Sequence, residues 1–157
     1  MKKSAGILLY RKNNNGIELL LVHPGGPYYI GKDDGCWSIP KGEINQEDKD
    51  YLATAKREFF EELGVNIDGH FIALNPVKQS NHKTIYIFAM EKDVNIDNIN
   101  SNCFEMEYPA GSNNYQQFPE IDKAKWFDID TAKRKILRGQ INVIDQLIKI
   151  ICTYGRP

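Results

Sequence analysis

Residues 56–64 read KREFFEELG. Five of these nine side chains are charged and three of the five are glutamates, with Phe59 and Phe60 set among them. An ordinary solvated helix spreads its charges and pairs them. Working outward, Leu52, Ala55, Phe59 and Leu63 recur at spacings of three and four, which predicts a helix from about Asp50 to Leu63 with a core-facing stripe. Gly64 stands where a helix end takes a left-handed residue. At about 100° per residue, Glu58, Glu61 and Glu62 share roughly one quadrant of that helix, on a sector other than the apolar one. Like charges so placed cost roughly 0.2–0.5 kcal/mol per pair in an isolated helix. They become useful if divalent cations complete the cluster, because Mg²⁺ takes hard oxygen ligands.

The flanking sequence supplies strands. SAGILLYRK (4–12) and IELLLVHP (17–24) are β-compatible runs separated by NNNG, so strands at 4–12 and 17–23 form a hairpin. PGGPYYIGKDDG (24–35) reads as a loop, and CWSI (36–39) as a short strand that Pro40 ends. HFIALNPVKQ (70–79) and KTIYIFAME (83–91) read as strands joined by a turn, CFEMEY (103–108) as an edge strand, and AKWFDI (124–129) as a further strand. In the tail, Ile136, Leu137, Ile141, Ile144, Leu147, Ile148 and Ile151 fall at helical spacing, giving one or two helices that cover a sheet. Hairpins together with crossover helices imply an α/β fold with a mixed sheet, and 157 residues suit a single domain, 1–157.

Composition narrows the functional classes. A formal net charge of −1 argues against nucleic-acid or membrane binding driven by bulk electrostatics. Cys36, Cys103 and Cys152 are an odd number without Cys-x-x-Cys spacing, which argues against a disulfide scaffold or zinc cluster and for a reducing, cytoplasmic setting. MKKSAGILLYRK lacks a small-residue cleavage site, and no apolar run is long enough to span a bilayer. His23, His70 and His82 show no metal-ligand spacing, and no Ser-His-Asp or Cys-His arrangement can be read. Near the glutamates, Lys41 offers a charge partner for phosphate, Gly42 permits close backbone approach, and Arg57 can hold a carboxylate in orientation. Tyr28, Tyr29, Tyr86 and Tyr115 are candidates to stack on a base.

The stretch GEINQEDKDYLATAKREFFEELGV (42–65) resembles the signature box of the Nudix hydrolases. Its second half matches at Arg57, Glu58, Phe59, Glu61, Glu62, Gly64 and Val65. The first half carries one extra residue: counted forward from Gly42 the expected glutamate falls on Asp48, and counted back from Arg57 it falls on Lys49. A one-residue insertion, with Glu47 or Asp48 standing in, accounts for the mismatch. The resemblance implies a Nudix-type α/β/α sandwich with a central mixed sheet, a box helix and C-terminal helices. It also implies hydrolysis of a nucleoside diphosphate linked to another moiety, with Mg²⁺, or Mn²⁺, held by Glu58, Glu61, Glu62 and the backbone carbonyl of Lys41. Among the catalytic groups Glu61, Glu62, Glu120 and Arg57, the resemblance makes Glu120 a base or extra ligand. Lys41, Tyr28 and Tyr86 would bind a nucleotide substrate. WSIPKGE (37–43) is similar to a segment of the diadenosine polyphosphate hydrolases, which favours a dinucleoside polyphosphate such as diadenosine tetraphosphate. The alternatives are a sanitising nucleoside triphosphate pyrophosphatase and a non-catalytic, nucleotide-sensing domain. Oligomeric state is not encoded legibly.

Overall fold

The computed structural model describes residues 1–154. The hairpin forms as expected, from β1 (Lys2–Asn13) and β2 (Gly16–Pro24), with Tyr10 opposite Leu19 and Asn13 opposite Gly16. β1 is central. It pairs in parallel with β6 (Lys83–Glu91) from Lys2 opposite Lys83 to Tyr10 opposite Glu91. Its first half also pairs antiparallel with the short β3 (Lys41–Glu43), which sets Gly6 against Lys41 and Ala5 against Gly42. β9 (Ile121–Asp128) pairs antiparallel with β2, while β4 (Ile72–Ala73) and β5 (Val77–Ser80) pair antiparallel with β6. The path β4-β6-β1-β2-β9 is therefore a mixed sheet, as the sequence implies.

A strand covered on both faces needs apolar residues at successive positions, which explains the unbroken run Ile7–Leu8–Leu9. Ala5, Ile7 and Leu9 pack with Leu20 and Val22 beneath α1 (Tyr51–Leu63). Leu8 and Tyr10 face the opposite way, packing with Leu19, Leu21, Ile85 and Ile87 beneath α2 (Ile129–Lys135) and α3 (Ile141–Tyr154). The result is the expected α/β/α sandwich. In the tail, Ile136, Ile144 and Leu147 are fully buried, while Ile141, Ile148 and Ile151 pack at the margin.

Three elements differ from expectation. The strand expected over 70–79 is two short ones, β4 and β5, divided at 74–76, where Pro76 has no N–H to give a ladder. Cys36–Ile39 makes only isolated bridges, Val22 to Ser38 and Trp37 to Ile136, and the strand falls beyond Pro40 as β3. The cause is divided loyalty: Ser38 bonds to β2, whereas Trp37 accepts from Leu137 N–H and donates to the Lys135 carbonyl. CFEMEY is not an edge of the main sheet. Its residues Cys103–Glu107 form β7, which pairs with β8 (Tyr115–Pro119) as a separate hairpin, with Phe104 against Phe118.

Candidate active site

α1 begins where Asp50 accepts a hydrogen bond from Ala53 N–H at 2.8 Å and ends at Gly64, whose φ of 74° is the left-handed value expected there. Ala55, Phe59 and Leu63 are buried as predicted; Leu52, in the first turn, is only half-buried, and Thr54 is buried instead. The helical wheel also orders the glutamates. Glu62 lies about 20° from Ala55, Glu58 farther round, and Glu61 on the far side. Exposure follows that order: Glu62 is 7% exposed, the Glu58 side chain 12% and the Glu61 side chain 31%.

Arg57 is the hub of this face. Its Nε and Nη2 donate to Asp48 Oδ1 and Oδ2, both at 2.9 Å, and Nη2 also donates to the Glu43 carbonyl at 3.1 Å. Nη1 donates to Glu58 at 3.0 Å and to Glu61 at 3.2 Å. The Arg57 guanidinium is held above its ordinary range, chiefly by the hydrogen bonds to Asp48. Those same bonds hold the Asp48 carboxyl well below the usual carboxylate range. Asp48, rather than Glu47, thus takes the place opposite the arginine. The extra residue is absorbed by a tight turn in which Asn45 Oδ1 accepts from the N–H groups of Glu47 and Asp48, and Asp48 accepts from Asn45 N–H and Thr54 Oγ1.

Glu58 rests on β3. A Cβ added to Gly42 would lie 1.9–2.3 Å from the Glu58 carboxyl atoms, so only glycine leaves room for that carboxylate. Glu120 is brought to the same region by backbone stitching at the end of α1. Asn102 N–H donates to the Glu61 carbonyl at 2.8 Å, Glu120 N–H donates to the Asn102 carbonyl at 2.9 Å, and the Glu120 carbonyl accepts from Gly25 N–H.

The electrostatics follow from burial. Burial pushes the Glu62 carboxyl well up, Glu58 and Glu120 add to the rise, and Lys41 opposes it. Glu58 is raised by burial and then by Glu61, and Glu120 by the same two causes. Burial lowers the Lys41 ammonium to about 8, helped by Lys83 and opposed by Glu62 and Glu58. Among the described residues, Glu62 Oε2 is buried without a hydrogen-bond partner.

Lys41, Glu62 and Glu120 line one cavity of about 340 Å³, together with Tyr29, Ser38, Gln79 and apolar residues including Ile39 and Leu137. Recesses of about 660 Å³ and 460 Å³ open elsewhere and hold none of the box glutamates. Glu58 and Glu61 do not line the cavity, but Glu58 acts electrostatically on Glu62 and Lys41, and Glu61 on Glu120. Tyr28 is placed apart, edge-on to Tyr108 at 5.8 Å, and Tyr86 stacks on Tyr51 at 3.9 Å; neither lines the cavity. Tyr29 does. Ser38 and Gln79 carry no sequence signal, because only the fold brings them beside Lys41.

Among the described residues, no three His, Cys, Asp or Glu side chains converge at metal-ligand spacing, since Glu58 and Glu61 are both drawn to Arg57. The donor set nevertheless fits a hard divalent cation: carboxylates crowded enough to raise one another's proton affinity, with one buried oxygen unpartnered.

A NUDIX domain family model matches residues 1–147. Among solved structures, the chain is similar to the NUDIX domain of Shewanella oneidensis NrtR complexed with ADP ribose, with TM-score 0.65 and 17% identity over 96% of this chain and 88% of that one. It is similar to a C. elegans Ap4A hydrolase, with TM-score 0.61 and 18% identity over 98% of this chain and 100% of that one. It is also similar to the M. smegmatis Nudix hydrolase RenU, with TM-score 0.58 and 15% identity over 99% and 89%. At these identities the likeness speaks for the fold. No curated protein matches in sequence. With the family model spanning nearly its whole length, this chain belongs to the NUDIX domain family.

Proposed function

We propose that the protein is a Mg²⁺-dependent pyrophosphohydrolase that cleaves a nucleoside diphosphate linked to another moiety by attack of water on phosphorus. Its substrate on this reading is a dinucleoside polyphosphate such as diadenosine tetraphosphate, the class named for the C. elegans neighbour. The observation that carries the reading is the Glu62 oxygen, buried and unpartnered among carboxylates that raise one another's proton affinity. Glu58, Glu61, Glu62 and the Lys41 carbonyl would hold Mg²⁺ or Mn²⁺. When bound there, the ion supplies Lewis-acid polarisation of the phosphoryl oxygens and makes water a better nucleophile.

The other roles belong to the chain. Arg57 positions Glu58 and Glu61 and is itself aimed by Asp48. Lys41 meets a phosphate in the cavity. Glu120, with its proton affinity raised by burial, takes the proton of the attacking water at its carboxylate, a base better matched to neutral pH than an exposed glutamate. We place the whole chain in one domain acting in the cytoplasm; no helix among the described residues is long and apolar enough to cross a membrane.

Purified protein with Mg²⁺ is expected to release ATP and AMP from diadenosine tetraphosphate in a panel that includes nucleotide sugars and triphosphates. EDTA or Glu62→Gln is expected to remove most of that activity with the fold retained by circular dichroism. Full activity in either condition overturns the metal role. Pyrophosphate release from triphosphates alone overturns the substrate assignment, and tight nucleotide binding without turnover makes the protein a sensor.

A further inference from the structure

Ser38 and Gln79 line the cavity beside Lys41 and Glu62, yet the reaction proposed above uses neither. Behind them lies Gln140, fully buried. Its carboxamide has a single workable orientation. Oε1 accepts from Ile39 N–H at 3.1 Å, and since an N–H only donates, that end must be the oxygen. Gln140 Nε2 then donates to Ser38 Oγ at 3.0 Å and to Gln79 Oε1 at 3.0 Å. With its oxygen so engaged, Gln79 is left to present Nε2, which has no partner among the described residues.

Two backbone features hold this arrangement. Lys78 pairs with Thr84 and Ser80 with Lys83, so Gln79 is the extra residue of a β-bulge in β5, a device that re-aims a side chain. The turn Arg138–Gln140 approaches β5 so closely that a Cβ on Gly139 would stand 2.5 Å from the Gln79 carbonyl oxygen. The amide orientation is therefore relayed from the Ile39 backbone through Gln140 to the cavity wall.

We infer that Gln79, oriented by Gln140, is a specificity-determining residue that donates from Nε2 to a ring nitrogen or carbonyl on the nucleobase of the substrate. The inference rests on the nucleotide reading above and adds which part of the nucleotide is read. A neutral donor set among Tyr29, Ile39 and Leu137 suits a heteroaromatic ring, whereas phosphate charge is met by Lys41. A site built to donate to an acceptor discriminates against a ligand without one, because the donor is then left unpaired.

The test measures binding of AMP, GMP, UMP and ribose 5-phosphate to the full chain by calorimetry in Mg²⁺, since none of these probes contains an anhydride. The tightest nucleotide is expected to bind better than ribose 5-phosphate. Gln79→Met, which keeps the volume and removes the donor, is expected to weaken that nucleotide about tenfold, the value of one neutral hydrogen bond. Ribose 5-phosphate binding stays the same, and in turnover the loss falls on KM rather than kcat. Gln140→Met is expected to narrow the preference for nucleotide over ribose 5-phosphate. Equal losses for both probes, unchanged nucleotide binding, or no preference in the original protein each overturn the inference while hydrolysis persists. Absence of metal-dependent hydrolysis across the panel removes instead the function on which it rests.

Discussion

Replacing Glu62 with glutamine is expected to make the metal-free protein more stable while disabling it. Glu62 is 7% exposed, its Oε2 has no partner, and Glu58 and Glu120 both push against its charge. A buried polar group left unsatisfied costs about 1–3 kcal/mol, and more when charged. Glutamine keeps the shape and removes the charge, but it also gives up the attraction of Lys41. The net gain is therefore about 1–2 kcal/mol, or roughly 2–8 °C in Tm for a domain of this size. Thermal unfolding followed by circular dichroism in EDTA measures it. Adding Mg²⁺ at about 100 times its Kd is expected to stabilise the original protein by about 2.7 kcal/mol, and the variant by much less. A variant less stable than the original in EDTA, or one that gains as much from Mg²⁺, refutes the reasoning.

Two further outcomes follow from the same face of α1. Gly42→Ala places a methyl where the Glu58 carboxyl now lies, so kcat/KM is expected to fall about a hundredfold with stability lowered by only about 1 kcal/mol; unchanged kinetics would show that the place of this carboxyl is immaterial. Asp48→Asn is expected to cost about 1–2 kcal/mol at neutral pH, a value discounted because Arg57 is 29% exposed. Because the folded state depresses the Asp48 acid, its contribution is complete above the unfolded value of about 3.9 and is lost as pH falls below it. Urea unfolding should then show the two proteins converging in acid, and a constant gap across that range counts against the Arg57 pairing.

What could be read from the residues was mostly what repeats or caps locally. α1 was legible because an apolar stripe and Gly64 agree on one helix; the burial of Glu62 beside Ala55 corrects the expectation that all three glutamates stand on a sector apart from the core. The β1–β2 hairpin was legible because NNNG divides two apolar runs. The short strand near Pro40 was misplaced because Trp37 and Ser38 divide their hydrogen bonds between β2 and residues about a hundred positions later. The choice of Asp48 over Glu47 depends on a turn built by Asn45, which spacing does not express. Tyr86 alternates along β6 like any strand residue, so nothing local distinguishes stacking on Tyr51 from meeting a ligand. Gln79 and Gln140 are unremarkable polar residues until a bulge and a close-packed glycine bring them together.

The central position of β1 also shapes how the protein is made. Its longest partnership, with β6, cannot begin until roughly eighty further residues have been synthesised. At about 5–20 residues per second that is a wait of roughly 4–16 s. During it the β1–β2 hairpin shows apolar residues on both faces, Ile7 and Leu9 on one and Leu8 and Leu19 on the other, with no layer to cover either. Long-range parallel pairing of this kind raises contact order and delays closure of the sheet. The nascent chain is therefore most prone to aggregate through the very strand around which the finished sheet is built, and its soluble yield is set by translation speed and chaperone supply as well as by final stability.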